Sequence, residues 1–199
     1  LFVLFLSLII SSGLVARAEE GTLVPTTDTK ITSDVGLLPT NPFYFIRKVG
    51  WGIKRIFTFN PTKRADLELK IIEQKASELK KLSEMNQSQE SLTKATQSYA
   101  DNLTRLKTRL ESLNETSENS NVDKLLDKVV DQSLKHAELF DELRIKHEAL
   151  RIRLEGVESQ LDDVVAEVPK HLTDKEKFLE KFDEAVQRRR EVSPTPPSF

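Results

Sequence analysis

Histidine is the side chain that titrates near neutrality, and this sequence has three: His136, His147 and His171. His136 and His147 stand eleven residues apart. On one helix that is almost three turns, about 16 Å, too far for the two to share a metal ion. A zinc site needs about three protein ligands, and the i+4 positions that would supply one hold Phe140 and Arg151. Both histidines fall on an apolar helical stripe. They read as half-buried groups hydrogen-bonded to a neighbouring helix, with a pH-sensitive seam as the functional alternative. No serine or threonine has a triad context, and the glycine patterns of hydrolase elbows, phosphate loops and dinucleotide folds are missing from the sequence. Carboxylates alternate with Lys and Arg, as on solvated helix faces, rather than converging as an acid–base site would. The expectation is a protein that is not an enzyme, with no metal, cofactor or small-molecule substrate.

A better functional candidate is the short segment from Phe43 to Phe57. It carries Arg47, Lys48, Lys54 and Arg55 among Phe43, Tyr44, Trp51 and Phe57, and no acidic residue. One reading docks the aromatics onto the chain's own helices and leaves the cations wet. The other lays the segment on an anionic bilayer with Trp51 near the headgroups. Docking is the expectation.

The elements that position these residues follow from periodicity. Asn60-Pro61 is a helix start, since Asn caps and Pro suits the first helical position. Ala65, Leu69, Ile72, Ala76 and Leu79 then form one stripe, and Leu92, Ala95, Tyr99, Leu103, Leu106, Leu110 and Leu113 a second. Asn86 to Gln89 reads as a turn and Asn114 to Asn121, with no apolar residue, as a loop. From Leu126 to Val168 apolar residues, Ser133 and the two histidines recur in steps of three and four, the heptad spacing. An unbroken helix there would run about 70 Å at 1.5 Å per residue. Beyond Leu143 its flanks become charged, as in a two-stranded coiled coil. Gly156 on the outer face is a weak point, worth about 1 kcal/mol against Ala, and Pro169 is the stop. Thr173-x-x-Glu176 reads as a capping box for a last helix.

Composition agrees. In 199 residues there are 31% charged side chains, six glycines and no cysteine, and the formal net charge is −2. That is a helical, disulfide-free profile with no bias towards nucleic acid. Leu1 to Val15 is nearly all apolar and ends at Ala16-Arg17-Ala18, as a signal peptide does. With no methionine or basic residues before it, the chain is expected to start inside that signal. Uncleaved, the segment would act as a membrane anchor.

Leu37-Leu38-Pro39-Thr40-Asn41-Pro42-Phe43-Tyr44 and Thr58-Phe59-Asn60-Pro61-Thr62-Lys63-Arg64-Ala65 resemble the bacterial domain-of-unknown-function family 5667. The resemblance continues through Lys135-His136-x-x-Leu139 and Lys146-His147-x-x-Leu150, covering about 37–154. It implies an exported helical protein and brings no activity, cofactor or catalytic residue. Gly50 and Gly52 depart from the family pattern, which more often has helix-forming residues there, and leave the continuity of the first helix open.

The expected architecture is therefore all-α: a helical bundle with one long coiled-coil-like helix. Residues 1–18 are read as signal peptide and 19–36 as a disordered linker. The helical domain spans 37–168, with helices at about 43–57, 62–85, 90–113 and 121–168. A short helix within 169–190 and a disordered tail, 191–199, follow. The expected function is an exported scaffold or interaction module of the cell envelope. Its surface would be the protruding half of the long helix, Leu143, His147, Leu150, Leu154, Val157 and Leu161, contacting a protein partner or a second copy. The alternative is a peripheral membrane protein held by 43–57.

Overall fold

Each apolar stripe needs a cover, and the chain supplies it by packing four of its helices on one another. The computed structural model describes residues 38–41, 44–176, 178–180, 182, 183 and 187. The signal, linker and tail readings, and Phe43, lie outside the described residues. The order is α1 (Tyr44–Phe57), α2 (Pro61–Glu84), α3 (Gln89–Glu111), α4 (Ser120–Lys146) and α5 (Arg151–Glu167), with 3-10 turns at Glu148–Leu150 and Val168–His171. The protein is all-α, and no strand occurs among the described residues.

Local chemistry sets the ends. The Asn60 side chain accepts from the Lys63 amide at 2.9 Å, with Pro61 opening α2. After α2 the backbone turns at Asn86, whose φ of 48° lies in the left-handed region that Asn tolerates. Ser88 then caps α3 and Asn119 caps α4. Gly50 and Gly52 do not interrupt α1, which is continuous. Thr173 pairs with Ser117 through both its amide and its hydroxyl, and the described helical residues resume at Lys175.

The helices form a four-membered bundle, α2 beside α3 and α4, and α5 beside the same two. α2 and α4 run parallel: Asp66 meets Lys128 at 3.0 Å, Glu73 meets Gln132 at 3.2 Å, and the Ser83 carbonyl accepts from Lys146 at 2.7 Å. α3 and α4 sit on a diagonal. Tyr99 spans it, edge-on to Phe140 with ring centroids 5.0 Å apart and bonded to His136 Nδ1 at 2.9 Å. Tyr99 and Phe140 are wholly buried.

The long helix is the main correction. α4 ends at Lys146, and His147, at φ −131° and ψ 75°, leaves the helical region. α5 then runs back along α4 and beside α3, held at its rim by Arg144–Glu158 (3.0 Å) and Lys107–Asp163 (3.1 Å). The break has no Gly or Pro and falls at His147, whereas Gly156 lies inside a continuous helix. Burial decides it. Folded back, Leu150, Leu154, Val157, Leu161, Val164 and Val168 are all buried against the chain's own core, where a protruding helix would leave them in water. No segment of the described residues protrudes as a coiled coil.

Candidate functional site

Residues proposed as the long helix's interaction surface are not available for one. Leu143, Leu150, Leu154, Val157 and Leu161 are buried core, and half-buried His147 faces inward, its Nε2 2.7 Å from Ser83 Oγ. His136 is also spoken for. Burial, helped by the Lys135 charge, depresses its pKa to about 3, so the imidazole is neutral at physiological pH. A neutral-pH switch at His136 is therefore not what this environment makes. Burial and Lys146 likewise lower the pKa of His147.

The unpartnered surface is on α1. This helix lies antiparallel along α2, and its inward side carries Tyr44, Arg47 and Arg55 with half-buried Trp51 between them. The Tyr44 hydroxyl donates to Glu78 at 2.9 Å and also meets Lys75. Arg47 Nη1 lies 3.2 Å from Glu78, which Lys75 approaches at 2.7 Å. Arg55 makes a bidentate pair with Glu68, at 2.8 and 2.6 Å, and reaches Asn102 of α3 at 2.9 Å. Burial raises the Glu78 carboxyl above its ordinary value, against the opposing pull of Lys75, Arg47 and Lys48. The α2 face that receives α1 is Glu68, Ile71, Lys75 and Glu78, spaced i, i+3, i+7, i+10 and all buried.

Docking by the charged side turns the apolar side out. Phe45, Ile46, Val49, Ile53, Ile56 and Phe57 are each 51–71% exposed. At 100° per residue they fill one arc of about 120°. Phe59, just beyond α1, adds a further ring at 76% exposed. Scattered exposed apolar residues are ordinary, but a contiguous stripe of this kind marks a contact surface. Lys48 and Lys54 stand on either flank, Lys48 Nζ 5.6 Å from the Tyr44 ring centre and Lys54 Nζ 4.7 Å from that of Trp51. Both ammonium groups are exposed and Trp51 is half-buried.

The expectation that this segment docks with aromatics inward and cations in water is met in part: Tyr44 is buried and Lys48 and Lys54 are exposed, but Arg47 and Arg55 also turn inward, and Phe45 and Phe57 turn out. Of the candidates, Tyr44, Arg47 and Arg55 bind the bundle, half-buried Trp51 lies on the same inward side between them, Phe57 points outward, and Lys48 and Lys54 edge the outward stripe. Ile46, Val49, Ile53 and Ile56 were not singled out. Their signal is the recurrence of Phe45, Val49, Ile53 and Ile56 on the side opposite Tyr44, Arg47 and Arg55.

Elsewhere the described residues hold no cluster of three His, Asp or Glu able to take a metal. A shallow polar cleft of about 240 Å³ lies between the starts of α2 and α4, near Lys63, Asp66, Glu115 and Lys124. Its Asp66 is partly buried, which raises its pKa, but pairing with Lys70 and Lys128 holds the carboxyl below its ordinary value. A carboxylate so committed is no general acid. Among the described residues no helix is long and apolar enough to cross a membrane.

Fold and surface together define a helical bundle carrying an amphipathic arm whose apolar side faces out. The model of the family described as Domain of unknown function (DUF5667) matches residues 36–149, more than half of the 199, and the chain belongs to that family. Comparison with curated proteins and with solved structures gives no match.

Proposed function

We propose that the protein is an exported, non-catalytic interaction module of the cell envelope that rests on an anionic membrane surface through α1. The helix would lie flat in the interface, its stripe among the acyl chains and the bundle standing above. The observation that carries this reading is the outward apolar stripe on a helix docked by its charges. Charge segregation favours a bilayer over a second copy as what covers the stripe. α1 carries four basic side chains and no acidic one; Arg47 and Arg55 are spent on Glu78 and Glu68, and Lys48 and Lys54 stand exposed beside the stripe. Two α1 helices face to face would oppose like charges, whereas Lys48 and Lys54 beside the stripe suit anionic headgroups. The apolar run from Leu1 and the Ala16-Arg17-Ala18 site support an address outside the cytoplasm.

The test is vesicle flotation of the chain from Glu19. Binding is expected to vesicles rich in phosphatidylglycerol, and to weaken with salt and in a Lys48→Ala, Lys54→Ala double variant. Ile53→Glu, at the centre of the stripe and away from the bundle, should reduce it by roughly tenfold or more, since one buried Ile is worth about 1.5–3 kcal/mol. Binding indifferent to both changes would sink the proposal.

A further inference from the structure

The α4–α5 hairpin bends where its sequence would continue as helix. Lys146-His147-Glu148-Ala149 contains no Gly or Pro, and the core stripe runs through the bend in register at Leu143, His147, Leu150 and Leu154. A conflict between local preference and global packing at one point marks a site with two ways to fold. The bend is pinned to α2 by few contacts, His147 Nε2 to Ser83 Oγ at 2.7 Å and Lys146 Nζ to the Ser83 carbonyl at 2.7 Å.

Three further observations bear on this bend. Ile145 is 89% exposed and Ile152 77%, the two most exposed large apolar side chains among the described residues, and they sit on either side of it. In a straight helix they would be seven residues apart on one face, with Ala149 between them. Met85, 48% exposed, marks the same end of the bundle at the close of α2. The family match ends at residue 149, inside the bend, so α5 lies beyond the matched segment although it fills one side of the core.

We propose that the bend is a hinge for exchange of α5 between two copies of this chain. Straightened, α4 and α5 form one helix that leaves the bundle at the Met85 end. Its apolar stripe then lies in the slot vacated by the α5 of a second, inverted copy, which reciprocates. The directions agree. Within one chain α5 runs away from the bend alongside α3, and an incoming α5 entering from the facing end of the second copy runs the same way. The exchange repeats every core contact of α5 and adds one interface, where the two hinges meet about a two-fold axis and Ile145 and Ile152 find apolar neighbours. This inference stands independently of α1 and its lipid contact.

The chain has no cysteine, which permits a direct test. Lys107→Cys on α3 and Asp163→Cys on α5 replace a contacting pair (3.1 Å) at the rim. In the full chain, held in mild detergent, a short bis-maleimide would join them within one chain in the closed form and between chains in the exchanged form. Refolding at high concentration is expected to give a covalent dimer on denaturing gels. His147→Ala removes the Ser83 tether and favours helix, and should raise that dimer roughly tenfold, the scale of one hydrogen bond. Glu148→Pro suits the first position of the 3-10 turn but breaks a continuous helix, and should abolish the dimer. Links confined to single chains in both the parent and His147→Ala, or a dimer whose links are all within chains, would overturn the proposal.

Discussion

His136 offers a quantitative test of the packing. It is 1% exposed and bonded to Tyr99, and its pKa falls to about 3 from an ordinary 6.5. A folded-state pKa below the unfolded one means that the unfolded chain binds the extra proton. Stability from this group is therefore full above about pH 6.5 and is lost progressively as pH falls towards 3. At pH 5 the unfolded imidazole is protonated and the folded one is not, a gap of about 1.5 pH units at 1.36 kcal/mol each, or about 2 kcal/mol. Other groups titrate too. His147, also lowered, adds to the loss in acid, while the raised Glu78 opposes it, its folded carboxyl holding a proton more readily than the unfolded one. Both cancel in a difference between two proteins that share them. His136→Asn supplies that comparison, because an amide near the Nδ1 position can still bond Tyr99 but does not titrate. Urea denaturation at pH 8 and pH 5 should show the parent losing about 2 kcal/mol more than the variant over that interval. Equal losses would refute the claim that this imidazole is buried and neutral.

Other perturbations separate core, arm and surface. Leu154→Ala, in the segment once expected to protrude, removes a wholly buried side chain and should cost about 2–5 kcal/mol in denaturant unfolding. A cost below about 0.5 kcal/mol would mean that α5 is not folded onto the bundle. Gly156→Ala meets no atom within 4 Å and sits inside α5, so it should stabilise by about 0.5–1 kcal/mol, measured the same way. Arg55→Ala leaves Glu68 without its bidentate partner. The penalty is capped, because α1 can lift and let water reach the carboxylate. Amide exchange should accelerate across Tyr44–Phe57 while the four-helix core keeps its protection.

Much of the bundle was legible because its signals are local. Asn60-Pro61 carries its own cap geometry, and the stripes of α2 and α3 need only helical period to be read. The turn at Asn86 needed a residue that tolerates positive φ, and the sequence has one there. The bend at His147 has no such signal. Nothing between Lys146 and Ala149 breaks a helix, and a stripe that fits a partner chain fits α3 and α4 of the same chain equally well. Only the gain from burying Leu150 to Val168 decides, and that is a property of the whole fold. The orientation of α1 was hidden for a different reason. Glu68, Lys75 and Glu78 look like a solvated face of α2 until Tyr44, Arg47 and Arg55 are laid over them. Composition named the right segment, and only the pairing showed which side faces out.

The central claim is that the outward side of α1 enters a bilayer. The cysteine-free background allows one environment-sensitive fluorophore at Val49→Cys, within the stripe, and another at Asp101→Cys, on the exposed surface of α3. Emission is measured with and without phosphatidylglycerol vesicles. The account predicts a blue shift at position 49, reversed by high salt, and no shift at position 101. Position 49 remaining in water, or both positions shifting alike, would contradict it.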